Sequence, residues 1–263
     1  MNLRQSEIGN WQSKMSEWWQ NFFHGVALDF WRAAISDEQT HEEADFINRH
    51  LQVPVGFRLL DVPCGNGRLA IELAAFGFRM TAVDLADEFL VEGKERANAR
   101  GVVIDFQKLE MRQLPWTEEF DGAFCFGNSF GYLDDGGNAD FLRAVHRALK
   151  PKARFILDAP AIAECLLPHF LEQRTIALGD ITATINTRYD HEHSRIFPHF
   201  TFVKDGIEDK RQTSQRIYTY RELIELLRET GFEIVDAYGS LNDDSFKLGM
   251  HRVLIVAERA FSA

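Results

Sequence analysis

Residues 57–84 constrain this chain more than any other stretch. "FRLLDV" is a short apolar run, "PCGNG" breaks it with two glycines, "GRLAIELAAFG" repeats apolar residues at helical spacing up to Gly77, and "RMTAVD" is a second apolar run ending on an acid. A strand, a glycine turn, a helix and another strand in so short a span predict a right-handed crossover between parallel neighbours. Ligands of such sheets sit beyond the carboxyl ends of the strands, where strand order reverses. Gly65 and Gly67 let backbone N–H groups approach a ligand, and the helix that follows offers its positive N-terminus. Asp84 stands where a carboxylate accepts ribose hydroxyls.

The same rhythm continues downstream. "EFLVEGKERANARG" and "ADFLRAVHRALK" read as helices, and "VVIDFQK", "DGAFCF" (121–126) and "ARFILDAP" (153–160) as strands. After Pro160 it breaks. "TATINTRYD", "IFPHFTFV" and "RQTSQRIYTY" are strand-like, joined by "DHEHS" and by "KDGIED" with its Asp205-Gly206 turn pair, which predicts an antiparallel insertion. A Thr219-Tyr220-Arg221-Glu222 capping box starts "LIELLRETG", Gly231 stops it, and "FEIVDAYG" and "HRVLIVAER" end the chain as strands, the second antiparallel to the rest.

Upstream, Thr40-His41-Glu42-Glu43 reads as another capping box opening a helix to about Leu51. Trp11, Trp18, Trp19, Phe22, Phe23, Phe30 and Trp31 form an aromatic load that must pack on a core or cover a ligand. The expected organisation is a helical cap or lid over 1–52, an α/β core over 53–160 and 219–263, and an antiparallel insertion over 161–218. The fold class is α/β, a doubly wound, mostly parallel, Rossmann-like sheet of seven strands.

Composition narrows the partners. With 40 acidic and 29 basic residues the formal charge is -11, which suits neither phosphate backbones nor anionic membranes. The N-terminus lacks the basic-then-apolar order of a signal peptide and no stretch is apolar for the length of a span, so a cytoplasmic protein, monomer or homodimer, is expected. Cys64, Cys125 and Cys165 suit neither a disulfide framework nor zinc, and neither Cys64 nor Cys125 has a recognisable His partner, which favours core or loop packing for those two. His191, His193 and His199 invite a metal reading, but the polar turn around "HEH" favours solvated side chains and no metal is expected.

Two ligands satisfy the glycine loop. Gly65-x-Gly67-x-x-Ala70 with Asp84 meets the tolerant form of a dinucleotide fingerprint, which would make the chain an NAD(P)-dependent oxidoreductase. The other is a ligand carrying an amino-acid carboxylate and an adenosine.

At this point the segment "LLDVPCGNGRLAIELAAFGFRMTAVDLADEFL" resembles the opening motif of class I S-adenosylmethionine-dependent methyltransferases, in a subgroup reading Asp-x-Pro-Cys-Gly-x-Gly-Arg. Pro63 replaces the first glycine of the usual form. "LEMRQLPW", "FDGAFCFGNSFGYL", "LKPKARFILD" and "YTYRELIELLRETGFEIVDAYG" resemble later family segments in order, so the resemblance covers roughly 57–258. It implies S-adenosylmethionine as cofactor and S-adenosylhomocysteine as product. Asp61, Pro63, Cys64, Gly65 and Gly67 would frame the methionine part, Asp84 the ribose, and Leu85, Glu110 and Met111 the adenine. Phe126, Gly127 and Asn128 would border the methyl group.

Asp61 has a structural reading too, as an acceptor for loop N–H groups, and Arg68 as the partner of a nearby acid. Asn128, Tyr132, Trp19 and Tyr218 are the expected substrate-facing residues, with Trp18, Phe22, Tyr189 and Arg216 as further candidates for a substrate wall. A hydroxyl or carbon acceptor would need a base such as His24 or a tyrosine, whereas an amine must arrive neutral. "GNSF" lacks the Asn/Asp-Pro-Pro-aromatic segment of base methylation, so a small-molecule acceptor is expected. A non-catalytic S-adenosylmethionine-binding protein remains the competing class.

Overall fold

In the computed structural model, residues 17–260 are described; Trp11 lies outside them. The helices are α1 Gly25–Ala33, α2 Asp37–Leu51, α3 Arg68–Ala75, α4 Asp87–Arg100, α5 Asp135–Ala148 and α6 Tyr220–Glu229, with single turns elsewhere. The strands are β1 Arg58–Asp61, β2 Arg79–Asp84, β3 Ile104–Lys108, β4 Phe120–Cys125, β5 Leu149–Asp158, β6 Gln173–Leu178, β7 Ile181–Asp190, β8 Arg195–Lys204, β9 Ile207–Gln212, β10 Gln215–Arg216, β11 Phe232–Tyr238 and β12 Leu254–Arg259.

Seven strands form one sheet in the order β11-β12-β5-β4-β1-β2-β3. β1 is parallel to both β2 and β4, while β12 runs antiparallel to β5 and β11. The chain leaves β1 towards one edge and returns at β4 on the other side, so strand order reverses between β1 and β4. Leu59, Met80, Phe124 and Ile156 point to one face, where Phe46, Ile47 and Leu51 of α2 and Leu69 and Leu73 of α3 cover them. The neighbouring Phe155 takes the opposite face, its ring 6.5 Å from Phe141 of α5 and 5.5 Å from Phe232. Burial on both faces explains why these strands read as continuous apolar runs.

Helix starts follow local hydrogen-bond competition. Thr219 caps α6 with the reciprocal Glu222 bond expected of a capping box. The Thr40 box does not form. Ser36, four residues upstream, accepts from the Gln39 N–H, and Thr40 Oγ1 turns back to the Ser36 carbonyl at 3.0 Å inside the helix. Glu43 is thereby free of any capping duty and is buried, 1% exposed.

The antiparallel strands form a second sheet, β10-β8-β7-β6, with β9 also on β8. Asp205 and Gly206, at φ of 51° and 76°, make the predicted β8–β9 turn. "RQTSQRIYTY" is not one strand. Its regular register with β8 breaks at Thr213 and Ser214, opposite Phe197 and Pro198: the Thr213 N–H still donates to the Pro198 carbonyl at 3.0 Å, but the proline has no N–H to return. Ile181, Ala183, Ile185, Phe200 and Phe202 alternate onto one face, and Phe22, Ala27 and Phe30 cover it. Of the N-terminal aromatic residues, Phe22 and Phe30 therefore pack as core, Phe30 5.3 Å from Phe202 and Phe22 5.5 Å from Phe200, while Trp18, Trp19 and Phe23 are half-buried and Trp31 is exposed.

Contacts divide the chain into two compact units, one ending its first segment at Ile35 and resuming over Leu171–Ile217, the other comprising Ser36–Phe170 and the segment from Tyr218 onward. The span 1–52 is divided between them, α1 with the antiparallel strands and α2 with the parallel sheet. No helix among the described residues is long and apolar enough to cross a membrane.

Candidate active site

The carboxyl ends of β1, β2, β4 and β5 gather Asp61, Asp84, Cys125 and Asp158 in the larger unit. After β1 the chain turns through Pro63 and Cys64, whose N–H donates to the Val83 carbonyl at 2.8 Å and so ties the loop to β2. Gly65 and Gly67 follow at φ of 55° and 70°, where side chains are strained. A Cβ on Gly67 would lie 2.7 Å from Cε1 of Phe106, whereas one on Gly65 would meet nothing within 4 Å. The first glycine thus keeps space open and the second admits close packing beneath the loop.

Gly67 is the N-cap of α3 and supplies no side-chain acceptor. Asp61 compensates from β1, with the Ala70 N–H as its partner. Its other oxygen, Oδ2, is buried with no hydrogen-bond partner among the described residues. Burial pushes the Asp61 carboxyl well above the ordinary range; Arg68 opposes this and Asp84 adds to it. One oxygen of Asp61 is thus bonded to the first turn of α3, the structural role, and the other has no partner among the described residues.

Asp84 is held differently. Its Oδ2 accepts from the Gly65 N–H at 2.8 Å and its Oδ1 from the Ala86 N–H at 2.9 Å. Burial raises its pKa and those N–H donors pull it back. Leu85 follows directly, and the Leu109 N–H donates to the Asp84 carbonyl at 3.2 Å, which brings the Glu110–Met111 loop to the same end of the sheet. Glu110 Oε2 accepts from Arg112 Nε at 2.7 Å, so its carboxylate is already paired.

On the other side of β1, Phe126, Gly127 and Asn128 leave β4, with Gly127 and Asn128 at φ of 82° and 65°. Burial raises the thiols of Cys64 and Cys125 and the phenol of Tyr132, whose oxygen bonds Ser129. All three are neutral at physiological pH, which removes the cysteines as nucleophiles. Tyr218 is buried, its hydroxyl donating to Asp135 Oδ1 at 2.9 Å and accepting from Asn138 Nδ2 at 3.1 Å, so that oxygen ties down α5.

Cys165 is buried in the larger unit, and the remaining substrate-wall, base and histidine candidates belong to the smaller one. Trp18 donates to the Ser214 carbonyl, Trp19 packs edge-on against it, Tyr189 lies on β7, and Arg216 donates to the Ile217 carbonyl. His24 Nδ1 lies 3.1 Å from Arg211 Nη2, a donor that occupies the lone pair a base would use. His191 and His193 sit in the β7–β8 turn, where the His193 N–H bonds Asp190. Three participants escaped the sequence reading: Glu43, Asp158 and Arg252. Asp158 ends an apolar strand with an acid, the same signal that marks Asp61 and Asp84; Arg252 has no local signal.

A buried carboxylate oxygen lacking a donor, beside a glycine loop, repels a pyrophosphate and suits a cationic group, which disfavours the dinucleotide reading. Comparison with known proteins agrees. Residues 59–152 match the family model described as "Methyltransferase domain". The chain is a methyltransferase. It is 26% identical to "Putative methyltransferase GWCH70_2453" of Geobacillus sp. (strain WCH70), over 77% of this chain and 84% of that protein. Two solved structures share the fold. One is an S-adenosylmethionine-dependent methyltransferase of Clostridium acetobutylicum, with TM-score 0.76 and 20% identity over 88% of this chain and 94% of that one. The other is an S-adenosylmethionine-bound amino pentose methyltransferase of Micromonospora echinaspora, with TM-score 0.66 and 20% identity over 91% and 99%. S-Adenosylmethionine is named for both of these solved structures, as what the first depends on and what the second has bound.

Proposed function

We propose that the protein transfers a methyl group from S-adenosylmethionine to a small-molecule acceptor, and that its cofactor loop is of the Asp-x-Pro-Cys-Gly-x-Gly-Arg subgroup. The observation that carries this reading is the pairing of two unlike carboxylates at one glycine loop. Asp61 has a buried oxygen with no donor, and Asp84 is pinned by two N–H groups.

S-Adenosylmethionine, when bound, supplies an electrophilic methyl group on a positively charged sulfur. Asp61 would face its cationic methionine part, with Pro63, Cys64, Gly65 and Gly67 as the surrounding loop. Asp84 would take the ribose hydroxyls on the lone pairs that Gly65 and Ala86 leave open. Leu85 and Met111 would lie on the adenine, with Glu110 beside its amino group once shared with Arg112. Phe126, Gly127 and Asn128 would border the reacting end, and Tyr132, held as a neutral phenol, would donate a hydrogen bond there rather than act as a base. Alignment and exclusion of water, more than proton removal, would then carry the rate.

The acidic balance of the chain, -11, supports a small molecule over a nucleic acid. The amino pentose methyltransferase that shares its fold supports the same class of acceptor. The test is calorimetric titration of ligand-stripped protein with S-adenosylmethionine, S-adenosylhomocysteine and NADH, followed by a panel of small amines, amino sugars and phenols scored by S-adenosylhomocysteine release. Binding of the first two with release on at least one acceptor is expected. Uptake of NADH alone would restore the oxidoreductase reading, and cofactor binding without release on any acceptor would favour a binding protein.

A further inference from the structure

We propose that Arg252 is a positioning residue that locks the Phe126–Asn128 loop to the cofactor loop, a role that rests on the function assigned to those loops above. Arg252 precedes β12 and sends its donors to two carboxylates. Nε and Nη2 donate to the two oxygens of Asp158 at 3.1 and 2.7 Å, and Nη1 donates to Glu43 Oε1 at 2.9 Å. Its guanidinium also lies over the Phe126 ring, 5.8 Å from the centroid.

Each carboxylate then passes the link on. Glu43 Oε2 accepts from Nη2 of Arg68, the first residue of α3 after the glycine loop. Asp158 Oδ2 faces the Gly127 N–H at 3.4 Å. The result is a chain of alternating charge, Arg68, Glu43, Arg252 and Asp158, with side chains 13, 2, 19 and 4% exposed. It spans from one wall of the crevice to the other.

Alternation matters because both carboxylates are dry. Glu43 and Asp158 repel each other, and Arg252 is the cation between them; taking away one member of such a set leaves uncompensated buried charge. The loop being held bends through two consecutive residues in the left-handed region, Gly127 and Asn128, the residue types that adopt it most readily, so its course depends on local bonds such as the one from the Gly127 N–H to Asp158. Lysine could supply the charge but not a planar fork reaching two carboxylates at once.

The experiment compares wild type with Arg252→Met, Arg252→Lys and Asp158→Asn by two readouts. These are the Gly127 and Asn128 amide signals of ligand-free protein in 1H–15N spectra, and calorimetric affinity for S-adenosylhomocysteine. Arg252→Met is expected to move those two amides while signals of the outer strand β3 stay in place, and to weaken affinity by roughly tenfold. Arg252→Lys should recover part of both. Should Arg252→Met fail to fold, the near-isosteric Asp158→Asn is expected to move the same amides. Unmoved Gly127 and Asn128 amides in the folded variants would overturn the proposal, as would shifts spread evenly over the sheet, the mark of a merely structural role. Wild type that takes up no S-adenosylhomocysteine would sink the cofactor reading instead, and the amide signals would still judge Arg252.

Discussion

The carboxylate of Asp84 bonds the backbone N–H of Gly65 at 2.8 Å across the gap between β2 and the loop after β1. One side chain thus shapes the glycine loop and is also the proposed ribose ligand. Asp84→Ala removes an acceptor from two N–H groups as well as the proposed ribose contact, at about 1.5–3 kcal/mol for each charged hydrogen bond. S-Adenosylhomocysteine affinity should fall by about 100-fold or more, which is about 2.7 kcal/mol. Calorimetry on the folded variant checks this, and unchanged affinity would refute the ribose assignment.

Asp61 should trade stability for binding. Burial holds its folded pKa above the unfolded value, so the folded state binds the proton more tightly; its contribution to stability is complete below the ordinary carboxylate pKa and is lost as pH rises through the raised one. Asp61→Asn escapes that loss. The ligand-free variant should melt above wild type at neutral pH, by about 2–4 °C per kcal/mol recovered, with the gap closing in mild acid. Its affinity for S-adenosylmethionine should fall. Melting curves at both pH values, with titrations, test the two halves separately; a variant less stable than wild type at neutral pH would contradict the first.

Gly67→Ala meets two obstacles, a φ of 70° and a Phe106 carbon 2.7 Å from the new Cβ. A loss of about 1–3 kcal/mol is expected in urea unfolding. Trimming the ring in a Gly67→Ala, Phe106→Leu double variant should cost less than the sum of the single changes, because the residues share one contact. Strict additivity would argue against the clash.

Ser36→Ala should cost about 1 kcal/mol, since Ser36 and not Thr40 caps α2. Thermal unfolding measures it. Thr40→Ser retains the hydroxyl that bonds the Ser36 carbonyl and should leave the helix start unchanged.

Much of this was legible in local sequence because local rules decide it. The crossover units of 57–160 follow from apolar runs and glycine stops, and the acids ending β1 and β2 sit where strands must open onto a ligand crevice. Tyr218 and Thr40 show the limit. Tyr218 reads like a wall residue until Asn138 and Asp135 come to its hydroxyl from about 80 positions away, and Thr40-x-x-Glu43 matches a capping box until Ser36 outcompetes it.

The sequence by itself determined the parallel crossover core, the antiparallel insertion and the glycine turn after β1, since periodicity, turn chemistry and glycine placement act over a few residues. Only the tertiary structure decided that α1 joins the antiparallel sheet while α2 joins the parallel one, that Asp61 keeps an oxygen without a donor, and that Glu43, Asp158 and Arg252 form one buried charge chain. The physical reason is that burial and Coulomb interaction depend on distances between residues far apart along the chain, and no local pattern encodes those distances.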